Sequence, residues 1–376
     1  MNRTFRSADR FIQNEITNFT IEITQKCNFR CSYCCFSGEY AHMRSHSSRS
    51  MSKDIILKSI DFIENNAHNE ERISVSFFGG EALLGIKSIL FIMKELNNFF
   101  GERICFDIST NGYILSPHIV DALLNYNVGV SVSLDGCKVI HDKNRRTING
   151  SPTYDIIVSN LKNFKLRHPS EYNKRVRILI TSGFLHEIKL MNEYYSELCE
   201  LIGEKPLFIS HIYPNFKNGV VYDDSVSEIM DFYRIAIEKR KNGISDLYTI
   251  LLDDIMKKSK KKFVCNETAN RINLRTCLDC LYSAFIDIDG NISPCEKFDS
   301  KHHIGDVTNG IDIRLLKKWS YIYSLRRTFL CGKCEIVEFC SRCLADLKMT
   351  SAEQRLMCEI YKKNVQVAIN IKEKLN

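Results

Sequence analysis

Along residues 19–241 the spacing of apolar positions switches repeatedly between period two and period 3.6, strand to helix and back. Phe19–Thr24 reads as a first strand, followed by a cysteine-rich loop and a helix over Lys53–Asn66. Ile73–Phe78 is a second strand before a helix over Ile86–Phe99, and Ile104–Ser109 a third before a helix over Ile119–Tyr126. Val128–Leu134 is a fourth, then a loop and a helix over Tyr154–Leu166. Val176–Thr181 is a fifth before a helix near Leu190–Leu201, and Leu207–Ile212 a sixth before a helix over Ser225–Lys241.

Six βα units in succession imply a parallel sheet. Adjacent apolar residues such as Phe77-Phe78 and Ile178-Leu179-Ile180 require cover on both faces, as where helices lie outside and a packed or ligand-filled interior lies inside. The expected fold class is α/β, an open partial (β/α)6 TIM-like barrel, because only six units are present. In βα barrels the reactive site lies at the carboxyl ends of the strands.

The pattern changes after residue 245. Residues 246–264 read as a linker, and residues 265–358 as a small cysteine-dense domain held by metal rather than by an apolar core. Residues 1–18 form an N-terminal extension, residues 19–245 the barrel, and residues 359–376 the body of a closing amphipathic helix that starts near Cys358.

Composition narrows the function. Hydrophobic residues make up 44% and charged residues 26% of the 376, as in an ordinary soluble protein. No long apolar run spans a membrane, and the N-terminus has no secretory signal, so the expected location is the cytoplasm. The net charge of +7 is mild, and the one dense basic run, Lys257 to Lys262, reads as a solvated linker. It lacks the interleaved aromatics that stack bases, which argues against a nucleic-acid partner.

Sixteen cysteines are the anomaly. In a reducing compartment clustered cysteines read as metal ligands rather than disulfides. Cys105, Cys137 and Cys199 stand alone in apolar stretches and read as buried thiols, but eleven others have ligand-like spacing. Cys27, Cys31 and Cys34 give C-x3-C-x2-C directly after the first strand. Three thiolates hold a four-iron cluster and leave the fourth iron open to a chelating amino acid. A zinc site would need a fourth ligand nearby, and Cys35, adjacent to Cys34, reads as a non-ligand.

The segment Cys27-Asn28-Phe29-Arg30-Cys31-Ser32-Tyr33-Cys34 resembles the radical S-adenosylmethionine (SAM) superfamily, including the aromatic Tyr33 before the third cysteine. The resemblance implies that SAM binds the open iron. One electron then cleaves it to methionine and a 5′-deoxyadenosyl radical that abstracts hydrogen. Phe77-Phe78-Gly79-Gly80-Glu81 resembles the segment that receives the SAM amino group, with Gly79 and Gly80 offering close backbone and Glu81 an acceptor. Ser109-Thr110-Asn111-Gly112 and Ser133-Leu134-Asp135-Gly136, with Arg145 beyond, resemble the contacts to ribose and carboxylate. Ser109, Asn111, Ser133, Asp135 and Arg145 are the candidates, with Arg146 an alternative to Arg145.

Cys331-x2-Cys334-x5-Cys340-x2-Cys343, with Cys358, Cys295, Cys277 and Cys280, resembles a SPASM domain, the auxiliary-cluster module of peptide-modifying radical SAM enzymes. It departs from the usual pattern in the C-x2-C spacing of Cys340 and Cys343. The resemblance implies three [4Fe-4S] clusters: the SAM-binding one, a first auxiliary cluster on Cys277, Cys280, Cys295 and Cys343, and a second on Cys331, Cys334, Cys340 and Cys358. Cys265 is an alternative to Cys277 or Cys280, and a pair of structural zinc sites is the alternative to clusters. Glu296 follows Cys295 where the anaerobic sulfatase-maturing branch carries an Asp thought to take a substrate proton, which makes it the catalytic candidate.

The implied activity is oxidation or cross-linking of a peptide or protein substrate, through a thioether, a carbon–carbon bond or an oxidised side chain. A reduced flavodoxin or ferredoxin is the implied electron donor. Ribosomal-peptide maturation is the favoured form and formylglycine formation in a sulfatase its rival. With 18 residues before the first strand, the barrel or a second protein is expected to recognise any leader. A non-catalytic electron-transfer or zinc-binding scaffold is the reading from another class.

Overall fold

Six parallel strands form where the period-two pattern places them: β1 (Asn18–Thr24), β2 (Ile73–Gly79), β3 (Ile104–Thr110), β4 (Val128–Ser133), β5 (Val176–Ser182) and β6 (Leu207–His211), paired in that order. This computed structural model describes residues 16–40, 43–182, 185–203, 207–211, 224–260, 282–298, 302–331, 334–336 and 351–375. Between the strands run α1 (Lys53–Asn66), α2 (Ile86–Phe100), α3 (Pro117–Leu123), α4 (Lys138–Asn144), α5 (Tyr154–Arg167), α6 (Pro169–Arg175), α7 (Leu185–Glu193) and α8 (Tyr195–Ile202), and α9 (Val226–Lys241) follows β6. Local chemistry fixes several starts. Ser52 caps α1 by accepting from the Ile55 N–H, and Ser225 with Glu228 makes a capping box on α9.

Each central strand has one apolar face and one mixed face. Ile21, Val75, Phe77, Phe106, Ile108, Val130, Val132 and Ile178 are sealed in a core shared with the helices. The opposite face of β2 to β4 carries Ser74, Ser76, Phe78, Asp107, Ser109, Ser131 and Ser133, half-buried except for the exposed Ser109. The helices cover the apolar face, and the mixed face is the one that looks into the barrel interior. Serine alternation within the second and fourth strands shows it in the sequence.

The larger difference lies at the other edge. β7 (Ser283–Ile286) runs parallel to β1 with Asn18 opposite Ser283 and Ile21 opposite Ile286. β8 (Asn291–Ser293), β9 (Gly305–Asp306) and β10 (Gly310–Ile311) then add antiparallel, giving one ten-stranded sheet of order β10-β9-β8-β7-β1-β2-β3-β4-β5-β6. Ile286, Ile288, Ile292 and Ile304 join the barrel's own core. Residues 283–298 and 302–311 are thus held by sheet and apolar packing, and the reading of a purely metal-held module does not apply to them. The segment read as a linker contains α10 (Leu247–Lys260), which packs on α9 and buries Leu247, Tyr248, Leu251 and Leu252. α11 (Ile313–Cys331) and α12 (Ser351–Leu375) follow, α12 packing on α9 and starting ahead of the expected Cys358. Most of the N-terminal extension, Lys261 and Lys262 of the basic run, and Cys265, Cys277, Cys280, Cys340 and Cys343 lie outside the described residues. Among the described residues no helix is long and apolar enough to cross a membrane.

Two devices shape the carboxyl end of the sheet. At the end of β2, Gly80 N–H donates to Thr24 C=O and Glu81 N–H to Lys26 C=O, both at 2.8 Å. A Cβ on Gly79 would lie 2.4 Å from the Thr24 oxygen, and one on Gly80 2.3 Å from the Lys26 oxygen. Only glycine admits that approach. After β4, the fully buried His141 accepts the Asp135 N–H at Nδ1 (3.2 Å) and so carries its proton on Nε2, which donates to Thr153 Oγ1 (3.0 Å). Thr153 Oγ1 in turn donates to the Arg145 carbonyl at 2.7 Å.

Gly80→Ala is expected to cost about 1–3 kcal/mol or more, because the obstacle is backbone rather than a movable side chain. Denaturant unfolding of the variant checks this, and an unchanged midpoint contradicts the close approach. Burial lowers the His141 pKa from 6.5 to about 4. The unfolded chain therefore takes up this proton first. The stability from neutral His141 is complete above about pH 6.5 and is lost as pH falls toward about 4. Between pH 7 and pH 5 the loss is about 2 kcal/mol. A His141→Gln variant should lack that part of the acid dependence, and matching pH profiles would contradict the assignment.

Candidate functional site

The cysteine loop follows β1 and is stitched to every neighbouring strand end. Asn28 Oδ1 accepts from Asn111 Nδ2 beyond β3 at 2.8 Å, and Arg30 N–H donates to the Arg146 carbonyl at 2.8 Å. Ser32 N–H and Oγ donate to the Asn144 carbonyl and Oδ1 at 2.9 and 3.1 Å. Together with the Gly80 and Glu81 bonds, these draw the segments after β1, β2, β3 and β4 to one place. The order of motifs along the chain is thus a spatial cluster.

Cys27, Cys31 and Cys34 lie within electrostatic reach of one another. Burial pushes the Cys27 thiol up to about 11 and the Cys31 thiol up to about 12, and raises Cys34 as well. Arg44, Arg145 and Arg30 oppose the rise at Cys34. Such a site favours thiolate only when cationic metal is present. Among the described residues no three His, Cys, Asp or Glu side chains converge on a single ion. In a four-iron cluster each thiolate takes a different iron, so the sulfurs need not meet at a point. Three half-buried thiols from one loop, with guanidinium groups nearby, fit such a cluster.

The acidic candidates are engaged inside the protein. Glu81 is 2% exposed, and its oxygens accept from Leu83 N–H (3.0 Å), Thr110 Oγ1 (2.8 Å) and Asn111 N–H (2.7 Å). Burial pushes its carboxyl up, and these donors oppose that. Asp135 is fully buried and accepts from Thr181 N–H (3.0 Å), Arg145 Nε (2.9 Å) and the Tyr33 hydroxyl. Its oxygens hold Tyr33 and Arg145 against the cysteine loop, with the Arg145 guanidinium 5.3 Å from the Tyr33 ring centre. Burial works against the Arg145 charge, but Asp135 and Tyr33 outweigh it and hold the guanidinium above its ordinary range. Glu81, Asp135, Tyr33 and Asn111, expected from the sequence to contact SAM, are bonded here to the protein's own groups at the strand ends. Asn111 is tied through Nδ2 to Asn28 and through Oδ1 to the Tyr113 N–H (3.1 Å).

Ser109 and Ser133, by contrast, are on the open face of β3 and β4. Cys295 follows β8 in a turn closed by Phe298 N–H to its carbonyl at 3.2 Å. Glu296 is close enough to Cys35 to add to the rise of that thiol, which burial first pushes up to about 12. Cys334 N–H closes a turn on the Cys331 carbonyl at the end of α11, at 3.0 Å, and Cys358 lies on α12. The remaining proposed auxiliary ligands are outside the described residues.

Sequence reasoning gave no role to His141, Asn28, Thr181 or the stretch Arg44–His46. His141 stands in the segment after Asp135-Gly136, but its partner Thr153 lies 12 residues on. Arg44 pairs with Glu22 of β1 and covers the Phe36 ring at 4.0 Å, a contact that no local motif announces.

Comparison with known proteins agrees with the geometry. The profile of the Radical SAM superfamily matches residues 21–189. The chain is 26% identical over 372 residues to the radical SAM cyclopropyl synthase TigE of Paramaledivibacter caminithermalis, covering 93% of this chain and 73% of that protein. It is 23% identical over 364 residues to a cysteine-type anaerobic sulfatase-maturating enzyme of Clostridium perfringens, covering 91% and 93%. In fold it is similar to native anSMEcpe with bound AdoMet, with a TM-score of 0.69 at 18% identity, covering 96% of this chain and 100% of that one. Streptococcus suis SuiB bound to its precursor peptide SuiA gives a TM-score of 0.57 at 17% identity, covering 93% and 76%. Thiol triad, converging strand ends and matched segment lead to one conclusion: residues 21–189 form a radical SAM domain.

Proposed function

We propose that this protein modifies a peptide or protein substrate, with SAM bound in the barrel and two auxiliary [4Fe-4S] clusters held by its C-terminal cysteines. The observation that carries the reading is the gathering of Cys27, Cys31 and Cys34 with the ends of β2, β3 and β4. A second supports it: β7 pairs with β1, which brings Cys295 and Glu296 beside the cysteine loop rather than into a distant module.

When bound, an iron–sulfur cluster with SAM on its open iron supplies one-electron cleavage of the sulfonium and a carbon radical able to take hydrogen from an unactivated C–H bond. The chain's residues supply the rest. Cys27, Cys31 and Cys34 hold three irons and leave one open. Gly79 and Gly80 present backbone toward the SAM amino group, while Ser109, Ser133 and Arg145 serve the ribose and carboxylate. Asp135 and Tyr33 fix Arg145, and Glu81 fixes the end of β3. Glu296 takes the proton released as the substrate radical is oxidised. Cys277, Cys280, Cys295 and Cys343 would hold one auxiliary cluster, and Cys331, Cys334, Cys340 and Cys358 the other, and such clusters would supply an electron acceptor. A reduced flavodoxin or ferredoxin supplies the first electron.

Maturation of a ribosomally made peptide is the favoured substrate class. Glu296 differs from the Asp of the sulfatase-maturing branch, and a fold neighbour is seen with a precursor peptide. Sulfatase maturation is the competing reading, carried by similarity over 91% of the chain to a sulfatase-maturating enzyme.

Cys27→Ala, Cys31→Ala and Cys34→Ala together should remove about four irons and abolish reductive formation of 5′-deoxyadenosine, while the auxiliary clusters remain. Continued SAM cleavage in that variant contradicts the site. Glu296→Gln should leave 5′-deoxyadenosine formation intact and lower product formation on the true peptide by about 10²–10⁴-fold. Unchanged product yield would remove Glu296 from the chemistry. Changing Cys334 and Cys340 to Ala should spare SAM cleavage under a strong chemical reductant but collapse product formation. Protease resistance of the barrel is measured alongside, and full yield from the folded variant would show the second auxiliary cluster to be dispensable.

A further inference from the structure

The chain beyond the cysteine motif turns back on itself. Ser37 and Ser45 form an antiparallel bridge, and His46 N–H donates to the Phe36 carbonyl at 2.9 Å. Ser47 N–H and Oγ then donate to the Gln25 carbonyl (3.3 Å) and side-chain Oε1 (2.9 Å), tying the returning chain down. Arg44 adds an ion pair to the buried Glu22, with its guanidinium 4.0 Å from the Phe36 ring centre and 5.6 Å from that of Phe78. This double-backed segment has one consequence at the triad: His46 Nε2 comes to 3.5 Å from Cys34 Sγ.

The ring is half-buried, with the Gln25 backbone beside it, and its Nδ1 makes no hydrogen bond of good geometry. On the Nε2 side it has one side-chain partner within hydrogen-bond reach. Here the partner is the third cysteine of the motif. A thiolate sulfur offers no proton, so the contact requires the hydrogen on Nε2. Hydrogen bonds to cysteine sulfur favour the more negative, reduced state of an iron–sulfur cluster and so raise its potential.

We infer that His46 is a positioning residue for the iron–sulfur site, its Nε2–H donating to the Cys34 sulfur and setting how readily the cluster on the triad takes up an electron. The inference rests on Cys27, Cys31 and Cys34 being iron ligands. Leucine at this position removes the donor while keeping bulk. Glutamine keeps an N–H able to reach the sulfur.

The test is an anaerobic redox titration of the reconstituted full chain, followed by electron paramagnetic resonance of the signal that changes on adding SAM. That signal separates the triad's cluster from the auxiliary ones. At the wild-type midpoint, His46→Leu should show a reduced-to-oxidised ratio about tenfold lower, equivalent to about 59 mV for one electron. His46→Gln should stay near wild type. An unchanged midpoint in His46→Leu overturns the inference, as does a fall in His46→Gln as large as in His46→Leu. Loss of the SAM-responsive signal and four irons from His46→Leu alone also overturns it, because His46 would then hold the cluster in place rather than tune it. Absence of any SAM-responsive signal from the wild type overturns the ligand reading beneath, which distinguishes the two failures.

Discussion

The rest of the site depends on how closely the end of β2 approaches the chain leaving β1. Backbone of Gly79 and Gly80 passes within van der Waals contact of Thr24 and Lys26, and two backbone hydrogen bonds close the gap. That contact fixes where the cysteine loop starts. Because the loop is bonded onward to Asn111 and to Asn144–Arg146, its position also sets the spacing of the ends of β3 and β4. A side chain at Gly80 would push the loop away from all of them.

Behind that contact stand three buried carboxylates, each held differently. Glu81 is satisfied by backbone and hydroxyl donors, Asp135 by Arg145, Tyr33 and Thr181 N–H, and Glu22 by Arg44 and weaker contacts to Gln25 and Ile288. Carboxylates removed from water are costly unless such donors surround them. The donors come from different strands, so each carboxylate bolts two or three segments together. Glu22 also joins the barrel to the chain after β7, through Ile288 N–H at 3.4 Å. Rigid placement of the cysteine loop is what a site needs if a reactive intermediate is to meet one carbon and no other.

Much of this was legible in the sequence. The six strands follow from periodicity with ends shifted by a residue, because each strand buries one complete apolar face, whereas the single helix expected near Leu190–Leu201 is two, α7 and α8. Motif order correctly marked the strand ends that converge. What escaped was long-range chemistry. Glu81 and Asp135 stand out in the sequence because they follow strand ends, and the fold adds that their oxygens accept from Thr110, Asn111, Arg145 and Tyr33. β7 to β10 escaped because strands of two to four residues leave too little alternation to detect. The apolar face of α10 was masked by the lysines that follow it. His46 escaped because a histidine 12 residues beyond Cys34 acquires meaning only when the chain doubles back.

The central claim is that the triad holds a cluster with one iron open to SAM. Electron–nuclear double resonance on the reduced protein, with SAM labelled in its amino nitrogen and carboxylate oxygens, reads that contact directly. Hyperfine coupling of both labels to the cluster is expected, and its loss when Cys27, Cys31 and Cys34 are replaced. Reduced wild-type protein that carries its full iron and binds SAM, yet shows coupling to neither label, would contradict it.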